Sequence, residues 1–416
     1  MHNQPIQRLA QASCSLGLTA LLSCASSNTI AQTEAPPVAF STFAEWCLNQ
    51  DSISAEARLT VEAILQEMGT EACDRAQTLL IQETDLFLPA YQITDLAPLA
   101  SLTHLDSLSL GNNQISDLTP LAQLTNLKEL HLNSNVISDL TPLADLHNLS
   151  VLSLYDNQIT DLHWLVPLTQ LTALYLWGNQ ISDLSPLAAL DNLTALNLSD
   201  NAITDLTALG NMHRLTELTL DRNTIADLSP LAPLTELHTL NLWDNQISDI
   251  IPLAALTNLE VLVLRQNQVS DIAPLANLTQ LTNLNLWDNQ VSDLSPLAGL
   301  TRLNQLHLLD NQIVDVAPLQ SLTELNLLVL GNNQIADVSP LANLSNLAEL
   351  NLFGNQISDI TPLASLTNLR GLSLNNNQIQ DVSALSGLDN LVGLGLYDNP
   401  LAAQTCPIQP EAVCQF

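Results

Sequence analysis

Apolar positions recur every 22 residues from Leu102 to about Leu401, without one insertion or deletion. In the unit LTNLKELHLNSNVISDLTPLAD (Leu124 to Asp145) they are Leu127, Leu130, Leu132, Ile137, Leu140 and Leu143. Alternation at Leu130 and Leu132 predicts a short strand. The other half, as in SDLSPLA (Ser182 to Ala188), is too short for an α-helix, and a proline in a helix interior would cost about 3 kcal/mol, so a single 3₁₀ turn fits it better. No such unit can bury its apolar face alone. Stacked units bury one continuous core, which predicts a right-handed solenoid with a parallel concave sheet and a convex side of 3₁₀ turns and coil.

Two polar columns share the period. Asparagine runs unbroken from Asn113 through Asn135, Asn157 and so on to Asn399. An inward amide after each strand can bond backbone groups of adjacent turns that curvature leaves unpaired, so this column is read as structural. Aspartate runs from Asp95 to Asp381, one or two residues ahead of each turn, where a side-chain oxygen can accept from free N–H groups. These acids read as caps.

The period and the pattern L-x-x-L-x-L-x-x-N-x-I/L mark an α/β leucine-rich repeat solenoid. The unit xxISDLxPLAxLTN resembles the internalin-like class of bacterial leucine-rich repeat proteins over more than 300 of the 416 residues. The resemblance implies binding of a protein partner on the concave sheet. Unlike surface internalins, this chain carries no LPxTG-type sorting signal and no immunoglobulin-like segment after the repeats, so wall anchoring of that kind is not expected.

The ends break the pattern. Residues 1–23, with Arg8 and a modest apolar run, read as an export signal. It ends in Leu21-Leu22-Ser23-Cys24, which resembles a lipobox with Cys24 as the lipidated residue; the alternative is cleavage after Ala31 and a secreted protein. Residues 24–39 suit a flexible tether, residues 40–79 a helical N-terminal cap, residues 80–401 about 15 repeats, and residues 402–416 a C-terminal cap. Cys47 with Cys73 and Cys406 with Cys414 fall only in the caps, which predicts two disulfides and an oxidising compartment. Both readings of the N-terminus make the protein exported, to the cell envelope or the medium, with no membrane contact beyond the lipid.

The formal net charge of −33, from 42 acidic residues against nine basic ones, excludes nucleic acid as a partner, because phosphate binding needs clustered cations. No H-E-x-x-H, G-x-S-x-G, P-loop or G-x-G-x-x-G occurs, and no Cys/His cluster for zinc, so neither enzyme nor cofactor is expected. A calcium site is disfavoured, since no D-x-D-x-D-G loop is present.

Candidate chemistry lies where the repeat varies. The residue after the second strand leucine reads Gly111, Asn133, Tyr155, Trp177, Ser199, Asp221, Trp243, Arg265, Trp287, Leu309, Gly331, Phe353, Asn375, Tyr397. Six of the chain's 14 aromatic residues fall in this one column. Rings held on a rigid sheet bury wide area at low entropic cost, the composition of a binding surface; stacking for stability alone is the competing reading. Tyr155, Tyr175 and Trp177 form one expected cluster, and Trp243 and Trp287 should lie roughly 10 Å apart, two strand spacings. The next column supplies Asp156, Asp200, Asp244, Asp288, Asp310 and Asp398, with Arg222 among them and Asp221 beside. The predicted concave site comprises Tyr155, Tyr175, Trp177, Asp200, Asp221, Arg222, Trp243, Asp244, Arg265, Trp287, Asp288, Leu309, Asp310 and Phe353, suited to a basic protein or to a polysaccharide stacked on rings. A passive spacer is the third reading.

Overall fold

The computed structural model describes residues 40–416. The predicted signal, the tether and Cys24 lie outside them. Fifteen three-residue strands, from β1 (Asp85–Phe87) and β2 (Ser107–Ser109) to β15 (Gly393–Gly395), and a terminal β16 (Cys414–Gln415) form one parallel sheet in chain order. From β1 to β15 each residue pairs with the one 22 positions on, as Leu284 does with Leu306. The sequence period is therefore the sheet register. Opposite nearly every strand sits a short 3₁₀ turn such as Thr141–Leu143 or Ser229–Leu231, most with proline at its start, where a missing N–H costs nothing.

The core is a single file of leucine and isoleucine. Leu130, Leu132, Ile137, Leu143, Leu146 and Leu149 have no accessible surface, and their equivalents from Leu86 to Leu396 are at most 4% exposed. Each layer is sealed by its two neighbours, so only the ends need lids.

At the N-terminal end α1 (Phe43–Leu48), α2 (Ala55–Glu67) and α3 (Cys73–Leu80) bury Phe43, Val61, Ile64 and Leu80 against the first turn. A reciprocal capping box between Thr42 and Glu45 starts α1, and Ser54 caps α2. Cys47 and Cys73 are bridged. Buried Thr60 donates to the carbonyl of Asp95 at 2.6 Å, fastening α2 to the first repeat. At the other end β16 pairs with β15, Cys406 is bridged to Cys414, and Ile408 and Val413 cover the last layer. Among the described residues no helix is long and apolar enough to cross a membrane.

Candidate functional site

Each asparagine of the inner column binds two layers at once. Asn245 Oδ1 accepts from Ile225 N–H at 3.0 Å, while Nδ2 donates to Leu220 C=O at 3.0 Å and to Leu242 and Trp243 C=O at 3.2 Å. The same set recurs from Asn113 to Asn399. On the convex side each column aspartate accepts the N–H two residues on at 2.8–2.9 Å, as in Ser185 to Asp183. In nine of these aspartates a side-chain donor on that residue adds to the N–H, and the carboxyl is held below its ordinary value. The backbone N–H is the larger cause in Asp161, Asp183, Asp227, Asp293, Asp337 and Asp381. The threonine hydroxyl leads in Asp139, Asp205 and Asp359.

The variable column resolves into three groups. Tyr155 stacks on Trp177, with centroids 4.5 Å apart and planes within 10°. Tyr175 lies on the strand Ala173–Tyr175, two residues earlier. The column is then interrupted by two short polar residues: Ser199 Oγ donates at 2.5 Å to Asp221, which is only 6% exposed and also accepts from Asn241 Nδ2 at 3.0 Å. Next comes a cation–π ladder. The Arg265 guanidinium sits 4.1 Å from the Trp243 ring centre and 4.4 Å from that of Trp287, and Arg222 flanks Trp243 at 5.5 Å. Arg222 also approaches Asp200 and Asp221 at 3.6 Å. Beyond the ladder, Leu309 and Phe353 meet across Gly331, where a Cβ would come within 2.9 and 2.5 Å of them. The gap expected between Trp243 and Trp287 is filled by the protein's own arginine.

The neighbouring acidic column has a backbone cause that the sequence reading did not identify. Asp156, Asp200, Asp244, Asp288, Asp310 and Asp398 all have φ of +52° to +55°, and Gly178 and Gly354 occupy the same place in their units. This left-handed turn after the strand favours Asp, Asn and Gly. Asp310 is engaged internally, accepting from Trp287 Nε1 at 2.9 Å and Asn332 Nδ2 at 2.8 Å. Asp156 is raised from its ordinary value, chiefly by partial burial and further by Asp200, against the lowering effects of Ser134 and Arg222. Asp244, Asp288 and Asp398 are exposed.

Sequence reading missed two further features. Asn241, Asn285 and Asn351 each accept, through Oδ1, the N–H two residues on, pinning Trp243, Trp287 and Phe353 at 3.0–3.1 Å; the signal was the tripeptide Asn-Leu-Trp or Asn-Leu-Phe. A second, exposed ladder runs through Asn126, Asn148, Asn192, Asn258, Asn346, Asn368 and Asn390, each donating to a carbonyl 23 residues earlier. Its signal was the recurrent Leu-x-Asn-Leu. Among the described residues no three metal-ligating side chains cluster.

Comparison with known proteins accords with this geometry. The family profile described as Leucine Rich repeats (2 copies) matches in ten segments between residues 85 and 407. Comparison with curated proteins returns no match. Among solved structures, the internalin InlF of Listeria monocytogenes is 33% identical over 81% of this chain and 94% of its own, with a TM-score of 0.67. A leucine-rich-repeat protein of Leptospira interrogans is 27% identical over 82% and 97%, with a TM-score of 0.74. The functional domain of InlJ from Listeria monocytogenes, which includes a cysteine ladder, shares the fold at 24% identity over 85% and 80%, with a TM-score of 0.69. Proteins of this kind are typically non-enzymatic binding modules serving protein–protein recognition. With its unbroken 22-residue register, asparagine ladder and capped ends, the chain belongs to the leucine-rich repeat family and is internalin-like.

Proposed function

We propose that the protein is an exported recognition module that holds a protein partner, basic in character, through the aromatic column. The carrying observation is the break in that column. Trp177 is stacked by Tyr155 on one face, while the next member, Ser199, is short and turns its hydroxyl to Asp221. The indole thus borders a notch floored by a carboxylate. Arg265 between two indoles demonstrates what such a column accommodates: a planar cation on a ring face. A partner arginine or lysine reaching Trp177, Asp200 and Asp221 would repeat that arrangement, and the net charge of −33 would steer a basic protein toward it.

The polysaccharide reading is weakened by the same geometry, since the facing surfaces of Trp243 and Trp287 are covered by Arg265 and cannot stack on a sugar. Export is supported by cystines in both lids; anchoring through Cys24 would appear as fatty-acid labelling lost in Cys24→Ala. The test of recognition is a pull-down from envelope and medium extracts with wild type and Trp177→Ala, both checked for unchanged melting. A polypeptide retained by wild type, eluted by salt and lost with the variant supports the reading. Identical retention by both, or elution by sugar, sinks it.

A further inference from the structure

Glycine within strands is confined to two neighbours near the C-terminal end: Gly371 in β14 (Gly371–Ser373), and Gly393 and Gly395 in β15. All three stand at concave positions that carry side chains on every other repeat strand. Strand glycine is unfavourable by about 0.5–1 kcal/mol against alanine, and it often marks a place where another backbone or a ligand comes close. The fold does not require it at Gly393, where an added Cβ would meet nothing within 4 Å. Nor is it part of the lid: a lid covers apolar surface, whereas Gly393 uncovers the sheet, while Glu349 and Asn375 lie over positions 371 and 395.

The result is a trough of about 340 Å³ on the concave face. Leu327, Val329 and Asn351 form one wall, and Gln415 of β16 closes the other end. Leu327 and Val329 are partly exposed on that wall and make it apolar. Glu349 lies across the floor, its carboxylate taking the space a Cβ at 371 would need. Among the described residues nothing donates to that carboxylate and no cation pairs with it. A floor left open at Gly393, beside an apolar wall and one uncompensated acid, has the chemistry to receive an extended polypeptide. We infer that the trough over Gly371, Gly393 and Gly395 is a second partner site, which takes an extended peptide segment carrying an arginine or lysine opposite Glu349. The occupant's cation would supply the charge missing there, and flanking apolar residues would cover Leu327 and Val329. This site lies apart from Trp177 and stands or falls independently of the aromatic column.

The test is selection of displayed random hexapeptides on the full chain, counter-selected on Gly393→Leu, which puts a side chain into the trough where a Cβ meets nothing within 4 Å. Enriched peptides carrying a basic residue between apolar ones, bound by wild type and Trp177→Ala alike, and weakened tenfold or more by Glu349→Gln, support the inference. Peptides that bind wild type and Gly393→Leu equally, or no enrichment, overturn it. So does a glycan array in which oligosaccharides are retained by wild type and lost with Gly393→Leu, because the occupant is then a sugar.

Discussion

The asparagine ladder and the aromatic column run side by side, two residues apart in every unit, and behave oppositely. Position 245 and its equivalents are asparagine in every unit from Asn113 to Asn399; position 243 and its equivalents range from glycine to tryptophan. The asparagine satisfies backbone groups of two layers, and no other side chain offers one acceptor and two donors at that reach. The column residue meets chiefly side chains, those above and below it and some from the adjoining acidic column, so many combinations that pack will serve. Invariance in this molecule follows the main chain's unmet hydrogen bonds, and variation follows side chains answerable only to neighbours or to a partner.

Asn245→Ala should break this contrast most severely. It strips partners from Ile225 N–H and from the carbonyls of Leu220 and Leu242, a loss of about 3 kcal/mol in denaturant unfolding. Trp243→Ala, two residues away, removes a half-buried ring and its guanidinium contacts, for about 1–2 kcal/mol; equal losses for the two would erase the distinction. Arg265→Ala should fall near the same value and alter the emission of Trp243 and Trp287, with Arg265→Lys recovering only part because it lacks the planar fork. Gly178→Ala tests the turn between the columns: at φ of +69°, with Asp156 pressed against any Cβ, it should destabilise by about 1 kcal/mol. The smallest effects are protonic. The nine convex aspartates with lowered values contribute stability that is fully present above the ordinary carboxylate value of 3.8 and lost as pH falls through their folded values. Concave His307 is lowered from 6.5 by burial, so its contribution is present above 6.5 and declines as pH drops through its folded value. Melting followed from pH 8 to 3 should show a slight decline below 6.5, absent in His307→Gln, and a steeper one below 3.8.

The fold was legible because stacking leaves few degrees of freedom: once the period is 22, the register, the core file and both polar ladders follow from Leu130, Asn135 and Asp139 and their repeats. The candidate site was less so. Its column could be located, yet whether Trp243 faces solvent or an arginine depends on rotamers in adjoining layers, which no single unit encodes. The acidic column was legible only in part for a related reason, since the sequence shows Asp244 but not the left-handed backbone that favours it. The trough at Gly371 and Gly393 was invisible because a missing side chain matters only beside the walls that surround it.

The lids have a consequence for the molecule's lifetime. Every interior layer is clamped from both sides, so unravelling starts where a layer has one neighbour, at α1–α3 or at β16. Those few dozen residues, each end stapled by a single cystine, set how long the whole array survives a protease. A reducing agent therefore acts as a timer on some three hundred residues that contain no sulfur bridge of their own.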